Sequence, residues 1–142
     1  MNQLQLEDFP VRSFDKLRYA DTDRQGHVNN AVFSTFLETG RVEFLYQAQI
    51  PILSGGNSFV IASLQLNFLR EINWPGQVDI GTGILKVGNS SITFCQQIFQ
   101  NEKCAATAET VIVQVDDESG RSKPLSEQAK QTLGKWILSF EE

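Results

Sequence analysis

Histidine occurs once in these 142 residues, and cysteine twice. One imidazole and two thiols, Cys95 and Cys104, without zinc-type spacing, are a poor ligand set, and no metal is expected. Two cysteines are also too few for a disulfide framework, so a reduced, cytoplasmic protein is expected. Apolar runs are short. None approaches the ~18 residues that a membrane span needs. The N-terminus, Met1-Asn2-Gln3-Leu4-Gln5, has no charged segment leading into an apolar one, so no secretory signal is read there. Positive charge is scarce too: Lys and Arg total 12 against 17 Asp and Glu, a net charge of −5. With no basic cluster, nucleic acid and anionic membranes are poor partners, although a local basic patch for a phosphorylated cofactor remains compatible. No Gly-x-Ser-x-Gly elbow is present, which argues against an α/β-hydrolase.

What is present is ordinary for a globular protein: 41% hydrophobic and 20% charged residues. The length suits one domain over residues 1–142, with a real core. There is no linker, low-complexity tract or internal repeat.

One stretch concentrates the chemistry. Arg18-Tyr19-Ala20-Asp21-Thr22-Asp23-Arg24-Gln25-Gly26-His27-Val28-Asn29-Asn30 packs two acids, a glycine, the single histidine and two asparagines into a loop. An apolar-periodic helix follows at once, Ala31 to about Gln49. Unpaired backbone N–H groups and the positive dipole end of a helix N-terminus favour developing negative charge. A carboxylate, a histidine and an electrophilic helix end are an acyl-transfer layout.

The remaining chain reads as follows. Val11 to Tyr19 alternates loosely and suggests a first strand. In the helix, Phe33, Phe36, Leu37, Gly40, Phe44, Leu45 and Ala48 recur at helical spacing. Gly40 costs about 1 kcal/mol against alanine in a helix interior, and close approach to a sheet would compensate. Asn29 or Asn30 caps the start, and Pro51 lies at or beyond the end. After the Ser54-Gly55-Gly56-Asn57 loop the period becomes two, with Val60, Ala62, Leu64, Leu66 and Phe68 on one face. Asn73-Trp74-Pro75-Gly76 is a turn. Strands follow over Gln77 to Val87, Ser91 to Gln100 and Cys104 to Val115, joined at Gly88-Asn89 and Asn101-Glu102-Lys103. Gly81 and Gly83 suit a bulge or strong curvature. An acidic turn, Asp116 to Gly120, precedes a helix capped by Ser126 and running to about Ser139, with Ala129, Leu133, Trp136, Ile137 and Phe140 on its apolar side. This order is an α+β layout: a curved antiparallel sheet of about five strands around one long helix, plus a C-terminal helix. Open edge strands make pairing with a second copy natural.

The pattern resembles the hotdog fold. The loop resembles the 4-hydroxybenzoyl-CoA thioesterase-like branch of acyl-CoA thioesterases, on Arg18, Asp21-Thr22-Asp23, Gly26-His27-Val28-Asn29-Asn30, Phe33, Glu38 and Arg41. Plant-type acyl-ACP thioesterases look similar over His27-Val28-Asn29-Asn30. The Val87-to-Ser91 turn and the Val115-to-Pro124 tail are similar too, so the resemblance spans nearly the whole chain. It implies a cofactor-free hydrolase of an acyl-CoA, or an acyl carrier protein thioester. Asp23 would be nucleophile or general base, the Asn30 main-chain N–H would polarise the thioester carbonyl, and His27 would stand beside them. It also implies a homodimer or dimer of dimers with the substrate at a subunit boundary.

Each residue has a plainer reading. Asp23 suits a turn or helix-capping acid. Asp21, two residues earlier on an extended backbone, would point away from it, and a structural role with Arg18 or the loop amides fits better. His27 either donates to the thioester oxygen, orients water or holds Asp23, or is structural. Asn29 and Asn30 are natural caps, which is compatible with an amide that stabilises an oxyanion. Glu38 is the rival carboxylate, but it lies about 12 Å along the helix from Asn30 at roughly 1.5 Å per residue, too far to share a carbonyl with the helix-start amides of its own chain unless a partner subunit brings it closer, and an ion pair with Arg41 suits it better. Phe33, Phe36 and Leu37 are core positions that also suit tunnel walls. Cys95 and Cys104 read as buried small hydrophobes rather than nucleophiles. Two rivals stand beside the hydrolase: a hydratase on the same fold, whose Gly-His-Phe-Pro-like loop differs from Gly26-His27-Val28-Asn29, and a non-catalytic acyl-thioester-binding protein.

Overall fold

The alternating segments pair into one antiparallel sheet. A computed structural model describes residues 4–46, 52–53 and 55–139. Its strands are β1 (Val11–Lys16), β2 (Asn57–Phe68), β3 (Gln77–Val87), β4 (Ser91–Gln100) and β5 (Lys103–Asp116), ordered β1-β3-β4-β5-β2. All four pairings are antiparallel. Helix α1 (Asn30–Tyr46) lies over β1, β3 and β4, and α2 (Glu127–Gly134) packs on β3. A curved five-stranded sheet with one long helix against it is the hotdog arrangement, as the periodicity and the resemblance led us to expect. The expected extension of α1 to Gln49, Pro51 and Phe140 lie outside the described residues.

Apolar spacing puts one face of α1 into the sheet. Phe33, Phe36, Leu37, Phe44 and Leu45 are buried, against Val78, Ile80, Ile84, Phe94 and Ile98 of β3 and β4. Each such side chain contributes about 1.5–3 kcal/mol on burial. Gly40 sits where the helix comes closest. A Cβ there would lie 2.8 Å from Gln96 Nε2 and 2.9 Å from Thr82 Oγ1. Gln96 spans the contact, donating to the Leu37 carbonyl and to Thr82 Oγ1, both at 3.0 Å.

Five expectations need correction. The first strand ends at Lys16 rather than Tyr19. Tyr19–Asp21 instead form a short 3-10 turn, because the Asp21 carboxylate accepts from the Arg18 backbone N–H and stops the extended chain. In β2 the alternation slips at a bulge between Ile61 and Ser63, so Val60 and Leu64 face opposite ways. Gly81 and Gly83 do not mark the bulge in β3, which falls between Ile84 and Lys86; they leave room for Phe9 and Leu138. The last helix ends at Gly134, not Ser139. Beyond it Ile84 N–H donates to the Trp136 carbonyl and Leu138 N–H to the Ile84 carbonyl. β1 covers β3 only as far as Thr82, so the chain after α2 takes up the exposed edge at Ile84. Finally, Glu38 and Arg41 do not form an ion pair. Arg41 is buried and turns into the sheet, donating to Gln96 Oε1 at 3.2 Å, while Glu38 is exposed. Burial holds the Arg41 guanidinium below its ordinary pKa, with the Glu38 charge acting the other way.

Gly40→Ala should therefore destabilise the protein by about 1–3 kcal/mol, because overpacking outweighs the gain in helix propensity. A thermal denaturation midpoint equal to or above wild type would contradict the close approach.

Candidate active site

The loop between β1 and α1 is built from local hydrogen bonds. Asp21 is buried, and its carboxylate takes the Arg18 N–H at 2.9 Å and the Arg18 guanidinium at 3.1 Å. Its carbonyl accepts the Asn29 N–H at 2.8 Å. Asp21 is the structural acid of the pair, as expected from its alternation with Asp23. Thr22 bridges to Val28, and Asp23 N–H donates to the His27 carbonyl at 2.8 Å, closing a tight turn. Gly26 supplies that turn with φ +84°, a backbone angle that side-chain-bearing residues resist.

Asp23 Oδ1 accepts the Gln25 N–H at 2.9 Å and the His27 N–H at 3.3 Å. The turn-forming reading is thus correct for Oδ1. Among the described residues Oδ2 takes no hydrogen bond, which leaves an oriented carboxylate oxygen for chemistry. Asn29 is the cap of α1: its Oδ1 accepts the Ala31 N–H at 2.9 Å. Asn30 is the first helical residue, and its N–H has no partner among the described residues. An unpaired amide at the positive end of a 17-residue helix is an anion-seeking group.

Asp23 and Asn30 line a cleft of about 480 Å³, together with His27, Phe33, Phe68 and Arg70. Phe33 and Phe68 meet edge to face with centroids 5.0 Å apart and make its apolar wall. Asp23, His27 and Asn30 thus line the same cleft. Glu38 does not line it, and neither do Phe36 and Leu37, which are wholly core. Gln25 also lines the cleft, whereas Arg24, Ser90 and Ser91 do not.

Sequence reasoning missed Glu71. Its Oε2 lies 3.0 Å from His27 Nε2, so the imidazole donates from Nε2 and keeps Nδ1 as its acceptor when neutral. Nothing local signals this pair; it depends on the segment after β2 passing beside the loop, where Val28 N–H donates to the Ile72 carbonyl at 2.8 Å. Cys95 and Cys104 are buried on the sheet, away from the cleft, and burial pushes the Cys95 thiol up to about 11. A thiol so placed stays protonated at neutral pH and is a poor nucleophile. Among the described residues no group of three or more His, Cys, Asp or Glu is placed to hold a metal ion. No described helix is long and apolar enough to cross a membrane.

The family model of the thioesterase-like superfamily matches residues 17–133, which include the whole loop and helix. The chain belongs to the thioesterase-like superfamily. Among individual relatives, the uncharacterized protein YsmA of Bacillus subtilis is 29% identical over 82% of this chain and 80% of its own. The acyl-CoA thioester hydrolase YbgC of Escherichia coli is 28% identical over 76% of this chain and 81% of its own. A thioesterase from Thermus thermophilus, solved in complex with coenzyme A and zinc, is 32% identical over 88% of this chain and 98% of its own, with a TM-score of 0.77.

Proposed function

We propose that this chain is an acyl-CoA thioester hydrolase, with Asp23, His27 and Asn30 as its catalytic residues. The observation that carries the reading is a single cleft lined by an oriented carboxylate with one unbonded oxygen and by a residue whose helix-start amide is unbonded. The superfamily membership and the relatives named as acyl-CoA thioester hydrolases support the substrate class.

In this mechanism the acyl thioester enters with its carbonyl toward the start of α1, and the acyl group lies against Phe33 and Phe68. Asp23 Oδ2 either takes a proton from water, whose oxygen then attacks the carbonyl carbon, or attacks that carbon itself. The carbonyl π electrons move to oxygen, and the Asn30 N–H donates to the resulting oxyanion. Collapse expels the thiolate of CoA, which is later protonated. On the second route water cleaves the acyl-Asp23 anhydride and regenerates the carboxylate. His27, steered by Glu71, holds the water through Nδ1. A preorganised amide of this kind contributes about 3 kcal/mol to the barrier reduction.

We also read residues 1–142 as one domain, which works as a homodimer or dimer of dimers. β2 is a 12-residue edge strand whose outer edge has no partner strand among the described residues, and Val60, Ile61 and Phe68 on it are exposed. Such an edge favours pairing with a second copy. Light scattering should therefore return two or four chains per particle; a monomer at micromolar concentration would contradict this.

Thiol release from a panel of short-chain, long-chain and aromatic acyl-CoAs tests the activity. Asp23→Asn should lower kcat by about 10²–10⁴-fold with an unchanged melting temperature, since Asn keeps the turn-forming oxygen but cannot serve as base or nucleophile. Unchanged turnover in this variant would remove Asp23 from the mechanism. Absence of turnover by wild type on CoA and carrier-protein esters alike would overturn the hydrolase reading.

A further inference from the structure

Arg41 is a buried cation that the hydrolysis described above does not use. It is 8% exposed, and among the described residues no carboxylate pairs with it. Its hydrogen bonds leave from one terminal nitrogen, Nη1, and reach neutral acceptors: Gln96 Oε1 at 3.2 Å and Thr110 Oγ1 at 3.5 Å. Among the described residues Nε and Nη2 donate to nothing. Buried charges are ordinarily paired, because an unpaired one loses its hydration without compensation. The two free nitrogens form the side of the guanidinium that matches the two oxygens of a carboxylate.

Helix geometry ties this cation to the Asp23 cleft. Arg41 comes eleven residues after Asn30, close to three whole turns, so the two share one flank of α1 about 16 Å apart. That flank faces β5, where Thr110 lies, and the edge strand β2 beyond it. The register pairs Phe68, Leu66 and Leu64 of β2 with Ala106, Ala108 and Thr110 of β5. Directly opposed residues share a face of the sheet, and here it is the helix side: Phe68 meets Phe33, and Ala106 and Ala108 pack in the core with Leu37. α1 lies over β1, β3 and β4, and Phe68 and Leu64 remain 52% and 38% exposed. An open apolar stripe thus starts at Phe68 in the Asp23 cleft and ends at Leu64 beside Thr110, about 13 Å on at roughly 3.3 Å per residue. The alanines opposite Phe68 and Leu66 keep its floor low.

We propose that the acyl group runs from the Asp23 cleft along Phe68, Leu66 and Leu64, and that Arg41 binds a carboxylate at its far end. The substrate class is then the mono-CoA ester of a medium-chain dicarboxylic acid, because a span of roughly 13–16 Å suits an extended chain of about ten carbons. The inference rests on the thioesterase reading and adds acyl specificity to it. The carboxylate accepts from Nε and Nη2 and neutralises the buried charge, while Gln96 and Thr110 hold Nη1 in place.

The test compares kcat/KM on decanoyl-CoA with that on the mono-CoA ester of decanedioic acid, which has the same chain length and a carboxylate end. Wild type should favour the carboxylate-ended ester by about tenfold or more, as expected for a charge-assisted contact. In Arg41→Met that ratio should fall about tenfold, and Arg41→Lys, which keeps the charge without the fork, should retain part of it. Circular dichroism establishes that each variant is folded; if the methionine variant is not, the wild-type ratio and its reduction in Arg41→Lys decide. A wild type that hydrolyses the methyl-ended ester equally well or better overturns the proposal and leaves the hydrolase reading intact. A carboxylate preference undiminished in the folded variants overturns it too. If wild type turns over neither ester, both serve as ligands in calorimetric titration: about tenfold tighter binding of the carboxylate-ended one supports the Arg41 site. Equal binding, or none, overturns it.

Discussion

The arrangement depends on how closely α1 can lie on the sheet. Gly40 leaves out the one atom that would hold the two apart, and Gln96 fills the polar gap by bonding the Leu37 carbonyl and Thr82. A buried glutamine with both ends satisfied contributes modestly in net energy, but left unpaired it would cost about 1–3 kcal/mol. Contact and hydrogen bonds therefore specify one seat for the helix. From that seat its N-terminus falls beside the end of β2, where Phe33 meets Phe68. The cleft exists because the helix is fixed at Gly40, about three turns away from the proposed chemistry.

The loop then supplies what the helix end lacks. The helix offers a donor at Asn30; the loop offers an acceptor at Asp23. Their division of labour with neighbours is consistent: Asn29 caps, Asp21 braces, and among the described residues the Asn30 N–H and Asp23 Oδ2 take no hydrogen bond. Capping and the proposed catalysis thus fall on adjacent residues without sharing one. Glu71 reaches His27 from a different element, so the geometry of the site registers the return of β2 as well as the loop.

Much of this was legible in the sequence. The helical spacing from Phe33 to Leu45, the period of two after the Gly55-Gly56 loop, and the turn residues at Gly88-Asn89 report local physics, and each element formed. Gly40 was legible as a packing glycine because nothing else repays its cost in a helix. The misses come from interactions between distant segments. The bulge at Ile61 reverses Val60 because the register with β5 overrides the strand's own alternation. Arg41 turns inward because Gln96 and Thr110 on the sheet offer acceptors that its helical neighbour Glu38 does not outbid. The Glu71–His27 pair brings together residues that no local motif connects. The end of α2 at Gly134 follows from an open stretch of β3 that only the β1 register creates.

The central claim is that the backbone amide at Asn30, rather than its side chain, stabilises negative charge in the reaction. Asn30 is the first helical position, where proline is accommodated and the preceding cap is already outside the helix. The most direct measurement is kcat on a good acyl-CoA substrate for Asn30→Pro and Asn30→Ala, with helix content followed by circular dichroism. The account predicts a loss of about 10²–10³-fold in the proline variant with the fold retained, and near wild-type turnover in the alanine variant. Wild-type turnover in Asn30→Pro, or an equal loss in both variants, would contradict it.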